Sequence, residues 1–151
     1  MSPFFKTAAA ALSCAALTAC DAPQTQSSAQ AASGEFVAIN GLTAVSLSSG
    51  IIEVKGRPVR FKDDYWCAVG DYARRGLRLP WDTEIYVLRD IGAAASGGAR
   101  SAVQFTVMPD QLGVQPIGAG VITNILQPGY SRNVTHAFGN CRDTIFPRPF
   151  G

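Results

Sequence analysis

At 151 residues with 47% hydrophobic composition, the chain has enough apolar material for one domain with a real core and too little length for two comfortable ones. Its formal charge of +2 is small and its arginines are scattered, so nothing in the charge distribution points to nucleic acid or another polyanion as a partner. One histidine, no Cys-x-x-Cys pair and no clustered acids leave nothing at metal-ligand spacing, and no cofactor fingerprint is present.

The first nineteen residues read as an export signal rather than as part of the domain. Lys6 forms a thin positive start, Thr7 to Leu17 form an apolar run rich in alanine, and small residues precede Cys20. The apolar run is shorter than the roughly 20 residues a permanent membrane helix needs. The four residues Leu17-Thr18-Ala19-Cys20 resemble the lipobox of bacterial lipoproteins. That resemblance implies cleavage before Cys20, acylation of its thiol and attachment to a membrane on the periplasmic side of the cell envelope. Cys14 competes poorly because Ala11 stands where the lipobox leucine would be. Asp21 resembles the enteric signal for retention in the inner membrane, with the outer membrane as the alternative.

Residues 20–34 hold small and polar side chains with no large apolar group, and such a segment cannot bury enough surface to offset its ordering entropy. They read as a tether, and residues 35–151 as a single domain. Phe36 to Ile39 and Leu42 to Val45 read as a hairpin around Asn40-Gly41, a pair suited to a type I′ turn. Ile51 to Lys55 reads as a strand, followed past Pro58 by a short extended Val59 to Phe61.

The stretch that organises the domain follows. Asp63 or Asp64 can cap a helix start, and Gly76 is the residue type that closes one in the left-handed conformation. At 100° per residue, Tyr65, Trp66, Val69, Gly70, Tyr72, Ala73, Gly76 and Leu77 fall on one arc, while Cys67, Ala68, Asp71, Arg74 and Arg75 fall opposite. This predicts one face in the core and one in water, with Asp71 and Arg75 as a solvated pair worth ~0.3 kcal/mol. Gly70 in mid-helix costs about 1 kcal/mol relative to alanine, which suggests that another backbone passes close by.

Beyond the helix, Glu84 to Ile91 reads as a strand covered on both faces, Gly92 to Gly98 as a mobile loop, and Arg100 to Met108 as a half-buried alternating strand. Pro109 to Gly120 reads as loop, Val121 to Leu126 as a strand or short helix, Pro128-Gly129 as a turn, and Asn133 to Phe138 as a last extended piece that carries His136. The expected architecture is α+β: a mainly antiparallel sheet of four to six strands with one principal helix packed on it.

With Cys14 removed and Cys20 acylated, Cys67 and Cys141 remain, and a lone pair in an exported domain is most simply a disulfide. The competing reading is a reactive thiol, with Cys67 in the first helical turn and His136 as its base. Asp71 on the adjacent ridge opposes a thiolate, and no thiol-protease motif accompanies it. No Gly-x-Ser-x-Gly, Walker lysine or dinucleotide motif occurs. Tyr65, Trp66, Trp81 and Tyr86 read as core, with a ligand groove as the alternative. The Tyr65 to Ala73 stretch resembles small lipoproteins of Gram-negative bacteria, and no activity attaches to that resemblance. The function expected is therefore a lipid-anchored periplasmic accessory or binding protein without catalysis, with an unidentified envelope protein as a possible partner. The alternative is a small envelope enzyme using Cys67 or Asp71 in a groove beside the helix.

Overall fold

Alternation of apolar and polar residues says which face of a strand is buried, but a strand's place in the sheet decides whether both are. In the computed structural model, which describes residues 34–48, 50–57, 61–117 and 124–142, the strands are β1 (Phe36–Val37), β2 (Thr43–Ser48), β3 (Ile51–Gly56), β4 (Glu84–Gly92), β5 (Ser101–Thr106) and β6 (Ser131–Asn133). They form one antiparallel sheet in the order β1-β2-β3-β5-β4-β6. The helices are α1 (Lys62–Asp71), prolonged by a π-helical turn over Tyr72–Gly76, and α2 (Val134–Gly139). The fold is α+β, with α1 lying across one face of the sheet. The signal and tether expected over residues 1–33 lie outside the described residues, as do Val59, Arg60 and Val121 to Thr123.

Two strand readings exchange places. β5 lies between β3 and β4 and is buried at every position, whereas β4 buries Ile85 and Val87 and leaves the intervening side chains partly or fully exposed. The alternation in β5 separates two buried faces of different polarity. Ser101, Val103 and Phe105 face α1. Ala102, Gln104 and Thr106 face away from it, opposite Lys55, Glu53 and Ile51 of β3.

The first hairpin forms, but not with the expected turn. Ala38 N–H donates to the Leu42 carbonyl at 2.8 Å across a three-residue loop in which only Gly41 has positive φ, at 78°. A type I′ turn needs two such residues. Asn40 instead uses its side chain, accepting from Leu42 N at 3.2 Å and donating to the Asp64 carbonyl at 2.7 Å. That second bond fastens the hairpin to α1.

The α1 helix begins at Lys62 with Phe61 as N-cap, and Asp64 completes the start by accepting from Phe61 N–H at 3.2 Å. The expected wet face is absent: every residue from Asp64 to Ala73 is buried. The sheet covers one side, α2 covers a second, and the β1–β2 hairpin covers a third. Tyr65 crosses above Gly56, where a Cβ would stand 2.3 Å from the Tyr65 hydroxyl, and meets Ser101 Oγ at 2.5 Å. Trp66 packs edge-on to Phe105 and Tyr130 and donates its indole N–H to the Ile125 carbonyl at 3.0 Å.

The helix exit also differs from expectation. Leu77 N–H bonds to the Tyr72 carbonyl and Leu79 N–H to the Ala73 carbonyl, and the left-handed residue between them is Arg78, at φ 57°. Gly76 serves another purpose, because a Cβ there would lie 2.5 Å from the Tyr72 ring. The expected final extended piece is β6 followed by α2, whose N-cap Asn133 accepts from His136 N–H at 2.9 Å.

Candidate functional site

Cys67 and Cys141, 74 residues apart, are bonded to each other with their Cα atoms 4.7 Å apart. Both are buried. The bridge joins the first half of α1 to the chain just past α2, and one turn further along α1 the two helices meet most closely. A Cβ on Gly70 would fall 2.4 Å from Phe138 N and 2.7 Å from the Ala137 carbonyl carbon. The sulfur expected as an alternative nucleophile is thus oxidised and enclosed. His136 is exposed on α2 rather than on a strand.

Asp71 is fully buried rather than solvated. Its carboxylate forms a bidentate pair with Arg75 and accepts from Ile39 N–H at 2.8 Å. The hydrogen bonds from Asp71 hold the Arg75 guanidinium above its ordinary pKa. The pair ties the hairpin loop to the helix end, which is a positioning task more than a chemical one. Tyr72, next along the chain, packs its ring against Phe36, and burial raises the pKa of its hydroxyl. Among the described residues that hydroxyl is the buried side-chain polar atom without a hydrogen-bond partner.

A second buried carboxylate escaped the sequence reading. Glu53 sits in mid-β3 on the sheet face away from α1, beside Gln104. Its Oε1 accepts from Ser96 N–H at 3.0 Å and Ser96 Oγ at 2.6 Å, and its Oε2 accepts from Ala95 N–H at 2.7 Å and Gln104 Nε2 at 3.1 Å. Arg89 Nη2 stands 3.8 Å away. The loop expected to be mobile is therefore held down by an internal acid. The signal available was a glutamate and a glutamine placed in the middle of two apolar strands, where unpaired polar groups are costly.

Burial by itself raises the Glu53 pKa, but the bonds from Ser96, Ala95 and Gln104 together outweigh it and leave the carboxyl below its ordinary value of 4.5. A depressed carboxyl contributes stability that is fully present above the unfolded value and is lost as pH falls through the folded one. Acid unfolding should therefore steepen below pH 4.5 in the wild type and be flatter in Glu53→Gln. Equal acid slopes in urea titrations of the two proteins would show that the carboxylate does not hold the loop.

The other notable cluster is exposed. Trp81, expected in the core, is 45% accessible. Its carbonyl accepts from Thr135 N–H at 3.0 Å and Thr135 Oγ1 at 3.1 Å, and its ring meets Phe138 edge-on at 5.7 Å. The Arg74 guanidinium stacks 4.6 Å from the ring centroid and donates to the Leu79 carbonyl at 3.2 Å. The next residue, Arg75, reaches the other way and covers Phe36 at 4.9 Å. Two grooves complete the surface. One, of about 350 Å³, is lined by Leu88, Leu112, Val114 and Pro128 among others, and one, of about 360 Å³, by Glu35, Thr43, Lys55 and Arg57 among others. Neither contains any of the residues singled out from the sequence as chemical candidates. Among the described residues no three acids, histidines or cysteines come together as a metal site would require, and no helix is long and apolar enough to cross a membrane.

Compared with known proteins, the chain matches no family, no curated protein and no solved structure.

Proposed function

We propose that the protein is a lipid-anchored periplasmic accessory or binding protein that acts through its surface rather than by catalysis. The reading is carried by one observation: the chemically capable groups on the central helix are consumed in holding the fold. Cys67 is half of a bridge, and Asp71 is saturated by Arg75 and the Ile39 amide. Both are buried beneath packed chain rather than opened to a cleft. A native bridge suits an oxidising compartment, and the lipobox-like Leu17 to Cys20 supplies a route there and a tether on arrival.

The expected result is direct to measure. Protein extracted from membranes in detergent should have the mass of a chain that starts at an acylated Cys20, and after denaturation without reductant it should titrate no free thiol. In that state Cys14 has left, Cys20 is a thioether, and Cys67 and Cys141 are bridged. A normally cleaved but unacylated protein would show one free thiol and refute the anchor. Two further free thiols would restore the nucleophile reading for Cys67.

A further inference from the structure

We infer that the surface formed by the end of α1 and the adjacent hairpin docks on an anionic phospholipid bilayer, so that the anchored domain lies on the membrane in one orientation. This rests on the lipid-anchor reading above. The patch is built from consecutive pieces of chain. Arg74 stacks on exposed Trp81, Arg75 covers Phe36, and Ile39 donates to the same Asp71 that Arg75 pairs with. Val37 at 66% exposure, Ile39 at 51% and Trp81 at 45% thus share one end of the molecule with three arginines, counting Arg78.

Three exposed apolar side chains among guanidinium groups match the interfacial zone of a bilayer. There an indole sits at headgroup level, and arginine stems run along the acyl boundary while their heads meet phosphate. The charge balance favours an anionic surface. Among the described residues Arg74 and Arg78 have no carboxylate within ion-pair distance, and Arg75 neutralises Asp71. Glu35 is answered by Lys55 at 2.9 Å, which leaves Asp82, next to Trp81, as the exposed acid of the patch.

The position of the chain start supplies the second argument. Residues 21–34 lead directly into Phe36, which is part of the patch, and even fully extended they span at most about 50 Å. The domain is therefore confined near the lipid with this end leading, and a weak surface affinity suffices once the encounter is intramolecular.

The test uses the mature lipoprotein reconstituted into vesicles of phosphatidylcholine with or without phosphatidylglycerol, the acyl chains being brominated to quench nearby indoles. The chain has two tryptophans, and Trp66 is fully buried, so quenching reports Trp81. Quenching should appear in the anionic vesicles and vanish in neutral ones or in high salt. Arg74→Gln with Arg78→Asn, the latter suited to the left-handed φ, should lower the docked fraction relative to the free one roughly thirty-fold. Trp81→Phe should abolish the quenching and leave the Trp66 emission. Vesicles that float with the protein but leave its emission unquenched, or that quench it equally when neutral, overturn the docking surface. Failure of the protein to float at all overturns the anchor instead, so the two failures are distinguishable.

Discussion

Replacing either Cys67 or Cys141 by serine should cost about 4 kcal/mol of stability, and replacing both should cost little more than replacing one. The magnitude follows from closing a 74-residue loop in the unfolded chain. The location adds to it. The α2 helix has six residues, too few to form alone, so it persists only while it is packed on α1. Without the bridge, the close contact at Gly70 must hold α2 by itself. Near-equality of the two single variants is the telling result, because a shared bond is lost in either. Urea unfolding monitored in the absence of reductant decides the matter. A double variant that loses twice as much as each single one would mean that the two sulfurs act separately.

Gly70→Ala should destabilise the domain by about 1–3 kcal/mol, although helix propensity alone favours alanine at that position by about 1 kcal/mol. The sign is the point of the experiment. A Cβ at Gly70 would have to occupy space now held by the backbone of Ala137 and Phe138, within 2.4–2.7 Å, and backbone cannot rotate out of the way as a flexible side chain can. The α2 helix would have to lift, pulling against the Cys67–Cys141 bridge and loosening the Phe138 edge that supports Trp81. Denaturant midpoints of the wild type and the alanine variant suffice. A stabilised variant would show that α2 does not lie against Gly70 in solution.

The same glycine shows how much of the helix was legible in advance. A costly residue on an apolar arc announced a close approach, and α2 makes it, even though α2 itself had been read as extended. Its sequence, Val134-Thr135-His136-Ala137-Phe138, begins with two β-branched residues and is too short for a periodicity to emerge. Asn133, three residues before His136, was the available sign of an N-cap. Asp64 was correctly placed at the helix start, although as the residue that reaches back to Phe61 rather than as the cap itself.

Around the exposed cluster the sequence was less informative. Trp81 looked like core because aromatics usually are, and its exposure follows from Arg78 turning the chain outward at the helix exit. Asp71 and Arg75 looked like an ordinary i,i+4 pair on a wet face. They became a buried clamp because the β1–β2 hairpin folds over that face and presents the Ile39 amide to the carboxylate.

By itself the sequence determined the class of fold, the position of the main helix, the pairing of Cys67 with Cys141 and the approach of a second backbone at Gly70. Each of these is written in local terms: residue periodicity, end signals, cysteine arithmetic and the cost of glycine in a helix. Tertiary structure alone decided which strand is central, why Glu53 is buried, and that the supposed wet face of α1 is covered. An alternating strand reads the same whether its polar face meets water or meets Ser96 and Gln104. Only assembly of the whole sheet, with its loop folded back across it, tells these cases apart.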